Sequence, residues 1–132
     1  MKSRALAETQ RAEIAHPVIL VRVNRLFREG MTEHELYEVT RGVWKLGPRR
    51  EKAGYALAVF RRVVRGVYAI HSWHPAGTVP YETRQGREVR QPGRWEFVGG
   101  EAPPRVQAAY LGRSVEVYLP RGSRNPVIYV GC

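Results

Sequence analysis

Hydrophobic and polar positions change period several times along the chain, and most of these changes predict a β-strand. Residues 18–23 are mostly apolar and β-branched, which favours a strand. Residues 55–60 and 64–70 also predict strands, and the short junction at 61–63 predicts that they form a hairpin. Three later segments predict the remaining strands: RWEFVGGE, SVEVYL and PVIYV.

Two other segments have helical signals. In MTEHELYEVTRG, Thr32 and Glu35 have the spacing of a capping box, in which each side chain bonds the backbone N–H of the other residue. We therefore expect a helix from about 33 to 41, ended by Gly42 in a left-handed conformation. PPRVQAAYLG predicts a second, shorter helix, with proline at its start and Gly112 after its end.

These elements sum to one domain of the α+β class in which strands dominate. Short strands joined by hairpins and loops favour a mixed or antiparallel sheet, and a small closed or half-closed barrel with two short helices would hide the sheet edges. Residues 74–93 hold three prolines and three glycines and predict a long surface loop. Residues 1–16 are expected to form a helical leader or linker, and residues 17–132 the domain.

Composition narrows the function without defining it. The net charge is +10, with nineteen arginines and three lysines against twelve glutamates and no aspartate, so we expect an anionic partner. The excess of arginine favours nucleic acid, because guanidiniums pair with phosphate at two points and stack on flat rings. The absence of aspartate excludes a Ser-His-Asp triad and an Asp-held magnesium ion. No membrane span or signal-peptide centre is recognisable, so a cytoplasmic location is expected.

The stretch TRGVWKLGPRREKAGYALAVFRR, residues 40–62, concentrates the positive charge. We expect its basic side chains to contact the phosphates of a nucleic acid: Arg41, Lys45, Arg49, Arg50, Lys52, Arg61 and Arg62. The alternative is a solvated basic surface without a ligand. Phosphate contact is favoured for residues 49–52, because charges of one sign in a short loop repel one another unless a ligand neutralises them.

Aromatic residues lie among and after these charges and predict a pocket for a base. Trp44 could stack on a base or fill the core behind the first helix, and Trp73 and Tyr81 lie near the start of the long loop. We expect these three rings to line one pocket. Trp95 is expected in the core, whereas Glu96, on the opposite face of its strand, could accept from a base amino group or pair with an arginine.

Metal binding and catalysis are disfavoured. His71 and His74 are three residues apart, but no second His or Cys cluster completes the three or four ligands that zinc needs. A metal-independent enzyme acting on RNA would need Glu82 with His71 or His74 as general acid and base. No nucleophile, base and orienting group occur at diagnostic spacing, so we expect no catalytic residue, metal or other cofactor.

The run from PVILVRVNRLF to YAIHSWHPAG resembles an accessory module found downstream of the nuclease domain in bacterial GIY-YIG proteins, and GRWEFVG, YLGRSVEVY and NPVIYV fit the same module. The resemblance covers roughly residues 17–132. No paired GIY and YIG strands lie near the start, so the nuclease chemistry does not carry over, and Arg62 replaces a glycine expected in its turn. The order of helix, Trp-containing basic loop and paired strands is also similar to PUA-like pseudobarrels of the ASCH and EVE groups, which commonly bind RNA or a modified base.

The sequence therefore predicts a PUA-like domain that binds nucleic acid, RNA in preference to DNA, through a basic loop and an aromatic pocket. Two alternatives stay open. One is a small metal-independent hydrolase or ribonuclease acting on RNA or a nucleoside. The other is a protein-interaction module derived from a larger nuclease, with a protein as its partner.

Overall fold

The computed structural model describes residues 9–132, which form six strands, three short helices and two 3₁₀ turns. The strands are β1 (Val18–Arg22), β2 (Gly42–Trp44), β3 (Tyr55–Phe60), β4 (Val63–Pro75), β5 (Trp95–Glu101) and β6 (Val127–Val130). The helices are α1 (Glu33–Arg41), α2 (Gly86–Val89) and α3 (Pro104–Tyr110), and the 3₁₀ turns span Pro48–Lys52 and Glu116–Tyr118. None of the helices in this part of the chain has the length and apolar character needed to cross a bilayer.

The six strands form one mixed sheet in the order β2-β5-β4-β3-β1-β6, which curls into a half-barrel. β1 and β3 are parallel, and every other neighbouring pair is antiparallel. A parallel pair needs a crossover connection, and here that connection contains α1, β2 and the first 3₁₀ turn. The crossover places α1 against β3, β4 and β5. The predicted α+β class with a mixed, barrel-like sheet is therefore confirmed.

The core lies on both faces of the curled sheet. In β1, Val18 and Leu20 belong to one cluster of buried side chains, whereas Ile19 and Val21 belong to another. All four are fully buried, which explains why β1 is continuously apolar instead of alternating. α3 contributes Tyr110 to the first cluster, and α1 packs against the second.

The helix predicted at 33–41 is confirmed as α1, and its capping box is formed. Thr32 Oγ1 accepts a hydrogen bond from Glu35 N at 3.0 Å, and Glu35 Oε1 accepts one from Thr32 N at 2.8 Å. The prediction for Gly42 is wrong: its φ is −169°, so it continues directly into β2 as extended backbone. What matters at Gly42 is the missing side chain, because a Cβ there would overlap the Tyr81 hydroxyl.

Three boundary predictions also need correction. SVEVYL forms the second 3₁₀ turn instead of a strand, with residues 116–117 exposed. β4 continues past its predicted end at 70 to Pro75, because β5 pairs with it over that length. Residues 9–16 contain no helix; Ala12 is buried in the core and its N–H bonds Ser114 O at 2.8 Å. The rest of the predicted leader, residues 1–8, lies outside the described part of the chain.

The predicted hairpin between β3 and β4 is confirmed, and its turn consists of two arginines. Phe60 pairs with Val63, so Arg61 and Arg62 are the two loop residues, with φ angles of 52° and 67°. Positive φ at both positions defines the type I′ turn, whose twist matches that of the strands. Asn-Gly is the favoured pair there, because a bulkier residue with positive φ costs about 1–2 kcal/mol. The two arginines therefore make the turn less stable than its geometry allows.

Replacing Arg61-Arg62 by Asn-Gly should raise the free energy of unfolding by about 1–2 kcal/mol, because both new residues adopt positive φ readily. The matched control, Arg61→Lys/Arg62→Lys, keeps both charges and should stay within about 0.5 kcal/mol of the wild type. Urea unfolding of the three proteins measures the difference. Equal stability of the Asn-Gly variant and the wild type would show that the turn is not strained.

Candidate nucleic-acid interface

The segment between β4 and β5, residues 76–94, is held to the domain first by Glu96 of β5. This fully buried carboxylate accepts hydrogen bonds from Gly77 N at 2.9 Å and Val79 N at 2.7 Å. Arg41 Nη1 lies 4.0 Å from Glu96 Oε1, and Arg41 Nη2 donates to Val79 O at 3.3 Å and Pro80 O at 2.9 Å. Glu96 thus pairs with an arginine inside the domain, and its burial prevents contact with a base.

Glu38 of α1 holds the next part of the same segment. Its carboxylate accepts hydrogen bonds from Glu82 N at 2.7 Å, from Thr83 N at 2.6 Å and from the Thr83 hydroxyl. Burial raises the pKa of Glu38, but these hydrogen bonds outweigh burial and hold the pKa below its ordinary value of 4.5. Arg84 Nη1 completes the attachment by donating to Glu38 O at 3.0 Å and Gly42 O at 2.6 Å.

The position of Arg41 corrects the expectation that this residue contacts a phosphate. Its side chain is 3% exposed, and its guanidinium carbon lies 3.7 Å from the centroid of the Tyr81 ring. The backbone carbonyls and Glu96 use the donors of this guanidinium from inside the fold. Arg41 is therefore a structural residue in the described conformation.

Arg49, which is exposed, and half-buried Arg50 lie in the first 3₁₀ turn and also contact other parts of the domain. Arg49 Nη2 donates to Cys132 O at 2.7 Å, and its guanidinium lies 4.5 Å from the centroid of the Tyr129 ring. The Arg50 guanidinium lies 3.4 Å from the centroid of the Trp95 ring. Trp95 begins β5 and Tyr129 belongs to β6, which lie towards opposite ends of the strand order. The two arginines therefore connect the turn to both of these strands. The repulsion argument for phosphate contact overlooked this stacking on rings.

The other four predicted phosphate contacts are exposed but lie apart. Lys45 and Lys52 flank the first 3₁₀ turn, whereas Arg61 and Arg62 form the hairpin turn. Lys52 comes just before β3 and Arg61 just after it, and a six-residue strand spans about 20 Å. The seven residues therefore do not converge on one surface.

The three rings predicted to line one pocket are also separate. Trp73 packs edge-on against Phe97, with ring centroids 5.4 Å apart. Tyr81 lies against the guanidinium groups of two structural arginines. Trp44 borders an open cleft, and its Nε1 donates to Thr40 O at 2.7 Å, which fixes the orientation of the indole. Of the predicted pocket, the structure thus retains Trp44 at a cleft.

The cleft beside Trp44 has a volume of about 760 Å³ and is lined by arginines from three separate segments. These arginines are Arg22, Arg25, Arg84, Arg94 and Arg124. One acidic residue, Glu88, also lines the cleft, and its Oε1 lies 2.9 Å from Arg84 Nε. Within residues 9–132, the other four guanidiniums therefore have no carboxylate partner.

Most donors of these four guanidiniums are available to a ligand. Arg25 and Arg124 are exposed and make no side-chain hydrogen bond to the described residues. Arg22 and Arg94 are half-buried and donate to backbone carbonyls at 2.9 and 3.5 Å, which orients them toward the cleft. A guanidinium has five N–H donors, so one such bond leaves the others free. Sequence reasoning missed this cluster because its members are distant along the chain, and only the overall excess of arginine signalled it.

Glu82 is paired with His34, and the expected arrangement with His71 or His74 is not formed. His34 Nε2 lies 2.6 Å from Glu82 Oε1 and 3.4 Å from Glu38 Oε2. These three side chains have donor atoms within 4.8 Å of one another, close enough to share a metal ion. The carboxylate of Glu38 already accepts three hydrogen bonds from the segment, so ion pairing and loop attachment account for the cluster.

Glu38→Gln should lower the free energy of unfolding at pH 7 by about 2–4 kcal/mol, because an amide cannot accept at both oxygen positions. The folded-state pKa of Glu38 is depressed, so its contribution is full above 4.5 and is lost as pH falls through the lower folded-state value. The difference from the wild type should therefore shrink in urea titrations at pH 3. Exposed Glu116→Gln is the control and should change little at either pH. A deficit that is the same at both pH values would contradict this role of the ionised carboxylate.

Comparison of the chain with protein-family models, with curated proteins and with solved structures gives no match.

Proposed function

We propose that the protein binds an unpaired stretch of nucleic acid, RNA in preference to DNA, in the cleft beside Trp44. The observation that supports this function is the convergence of four guanidiniums without carboxylate partners on the cleft that the half-buried indole of Trp44 lines. Guanidiniums pair with phosphates, and an aromatic face stacks on a base with about 1–3 kcal/mol per base. Both interactions suit a strand whose bases are unstacked, and neither depends strongly on sequence.

The proposed binding residues differ from those expected from the sequence. Arg41, Arg49 and Arg50 contact other parts of the domain. In the proposed complex, arginines on the two sides of the cleft bind the phosphates in their place. The segment 76–94 supplies Arg84 and Arg94, so its attachment through Glu38 and Glu96 also sets the width of the cleft.

The same proposal includes the finer description of the fold. A curled mixed sheet with a helix after its first strand is compatible with a PUA-like pseudobarrel, and the preference for RNA rests on that likeness. A cytoplasmic location belongs to the proposal too.

Arg25→Glu/Arg124→Glu should weaken binding of a single-stranded oligoribonucleotide at least tenfold and flatten its salt dependence. Each phosphate contact on a single strand contributes about −0.7 to the slope of log K against log salt, so removing two should reduce the slope by about 1.4. Fluorescence anisotropy titrations at roughly 50 to 300 mM salt measure both the affinity and the slope of its salt dependence.

Two control variants carry the same change in net charge as the cleft variant. Arg11→Glu/Arg105→Glu alters exposed arginines away from the cleft, and Lys45→Glu/Lys52→Glu alters the loop predicted from the sequence. Both should retain most of the affinity, with equal small losses from the reduced net charge. If the Lys45/Lys52 variant loses more affinity than the Arg25/Arg124 variant, the basic loop is the binding surface and the cleft is not.

Trp44→Leu should weaken oligoribonucleotide binding by about 1–3 kcal/mol while keeping a side chain that fills the core-facing space. Oligonucleotide titration should quench the fluorescence of wild-type Trp44 in a Trp73→Phe/Trp95→Phe background, in which it is the one remaining tryptophan. A saturable binding signal with unchanged Trp44 emission would show that no base stacks there.

A further inference from the structure

A second cavity, of about 570 Å³, lies between α1, β4, β5 and α3 and is separate from the arginine cleft. This volume is within the range of roughly 300–1,000 Å³ that is typical of small-molecule sites. Its apolar lining includes three aromatic rings and three aliphatic side chains: Phe27, Met31, Leu36, Tyr37, Tyr68 and Leu111.

Glycines of β4 and β5 form the floor of the cavity and keep it open. A Cβ at Gly66 would come 2.8 Å from Tyr68 Oη, and a Cβ at Gly99 would overlap the carbonyl oxygen of Ala69. Gly100 pairs with Ala69, so its Cβ position lies on the other face of β5 from Tyr68, where no atom comes within 4 Å.

Tyr37 is fixed as a wall of the cavity by two hydrogen bonds to one residue of β5. Its hydroxyl donates to Gly99 O at 3.1 Å and accepts from Gly99 N at 2.9 Å. The cavity therefore has a rigid aromatic side before any ligand binds, which lowers the entropic cost of binding.

The hydroxyl of Tyr68 is the polar group that lacks a partner in this cavity. Tyr68 is 5% exposed, and its hydroxyl makes no hydrogen bond to any residue between 9 and 132. The oxygen itself is open to the cavity and is not sealed in the core. This phenol oxygen has acceptor lone pairs available to a donor that enters the cavity.

The charges around Tyr68 favour a positively charged ligand, although the chain as a whole is strongly basic. Burial raises the pKa of Tyr68, and the nearby carboxylates of Glu33 and Glu101 raise it further. Of the two arginines at the rim, Arg28 is neutralised by Glu35 at 2.6 Å, and Arg65 donates to a backbone carbonyl. The two carboxylates of Glu33 and Glu101 thus outnumber Arg65 as charges without an ionic partner in the lining of the cavity.

We propose that this cavity binds a small organic ammonium ion. The nitrogen donates to Tyr68 Oη beside the Tyr37 ring, with Glu33 and Glu101 at the rim, and the apolar body of the ligand packs against Phe27, Met31 and Leu111. Aromatic faces attract ammonium groups through their quadrupole, most strongly where water is excluded. This site does not depend on the nucleic-acid cleft, since the two cavities share no lining residue.

Three probes with one carbon skeleton test the charge preference: 2-phenylethylamine, 2-phenylethanol and phenylacetate. Titration of the ¹⁵N-labelled protein should give a saturable Kd below about 1 mM for the amine. The alcohol should bind about tenfold more weakly, and the anion more weakly still. The amide shifts should concentrate at Gly66, Gly99 and Gly100. Equal affinity for the amine and the alcohol, or shifts confined to other regions, would overturn the proposal.

Two variants locate the site. Gly66→Leu should fill the cavity and abolish binding of the amine, because a Cβ at Gly66 already contacts the side chains of Tyr68 and Leu36. Gly47→Leu, at an exposed glycine with open space around its Cβ position, should not. Glu33→Gln/Glu101→Gln changes two exposed side chains and should remove the preference for the amine over the alcohol, even if Gly66→Leu does not fold. Unaltered amine selectivity in the double Gln variant would refute the site.

Measuring the same proteins with an oligoribonucleotide separates the two proposals. The Arg25→Glu/Arg124→Glu variant should bind 2-phenylethylamine as the wild type does, and the double Gln variant should bind RNA as the wild type does. If the amine loses affinity on mutation of the cleft arginines, it binds in the cleft, and the cavity proposal fails independently of nucleic-acid binding.

Discussion

Two buried carboxylates, Glu38 on α1 and Glu96 on β5, hold an irregular stretch of backbone that no strand could pair with. Residues 77–83 have no ladder partner, and buried backbone N–H groups without partners are costly. Four of those N–H groups donate to the two carboxylates. An ionised carboxylate offers about four acceptor sites, so each glutamate serves two neighbouring donors and takes the place of a missing strand.

Arginine has two different uses in this domain. Arg41 and Arg84 donate inward to carbonyls on both sides of the segment, and Arg49 and Arg50 lie over aromatic rings of β6 and β5. The second use is at the cleft, where guanidiniums anchored by one carbonyl keep the rest of their donors free. Lysine suits neither role, because its single ammonium cannot bridge carbonyls in a plane or stack on a ring. The ratio of arginine to lysine is thus partly a structural requirement.

The sequence predicted what short-range patterns determine. The capping box at Thr32 located α1, apolar runs located β1 and β3, and the short junction at 61–63 located the hairpin. The sequence-based prediction was wrong for elements whose structure depends on contacts with distant parts of the chain. SVEVYL has strand-like alternation, yet pairing is limited to isolated bridges from Ser114 to Val63 and Arg11, and the residues that follow form a 3₁₀ turn.

Site residues were the hardest to predict, for the same reason. Arg41 lies in the most basic stretch of the chain, but a carboxylate and carbonyls more than thirty residues away draw it inward. The cluster of cleft arginines could not be recognised from the sequence because its members come from three separate segments. Trp44 was singled out from the local sequence as a candidate pocket residue. Its orientation also depends on a local contact, because the indole donates to Thr40 O near the end of α1.

The position of β1 has a consequence for how the chain acquires its structure. β1 lies between β3 and β6, and its partner in β6 comes from the opposite end of the described chain. Pairings between such distant segments close large loops, which slows folding relative to a chain of local contacts. During synthesis on the ribosome, an apolar strand would therefore emerge long before one of its two neighbours exists. Chaperone shielding of β1 in nascent chains would be a direct result of this topology.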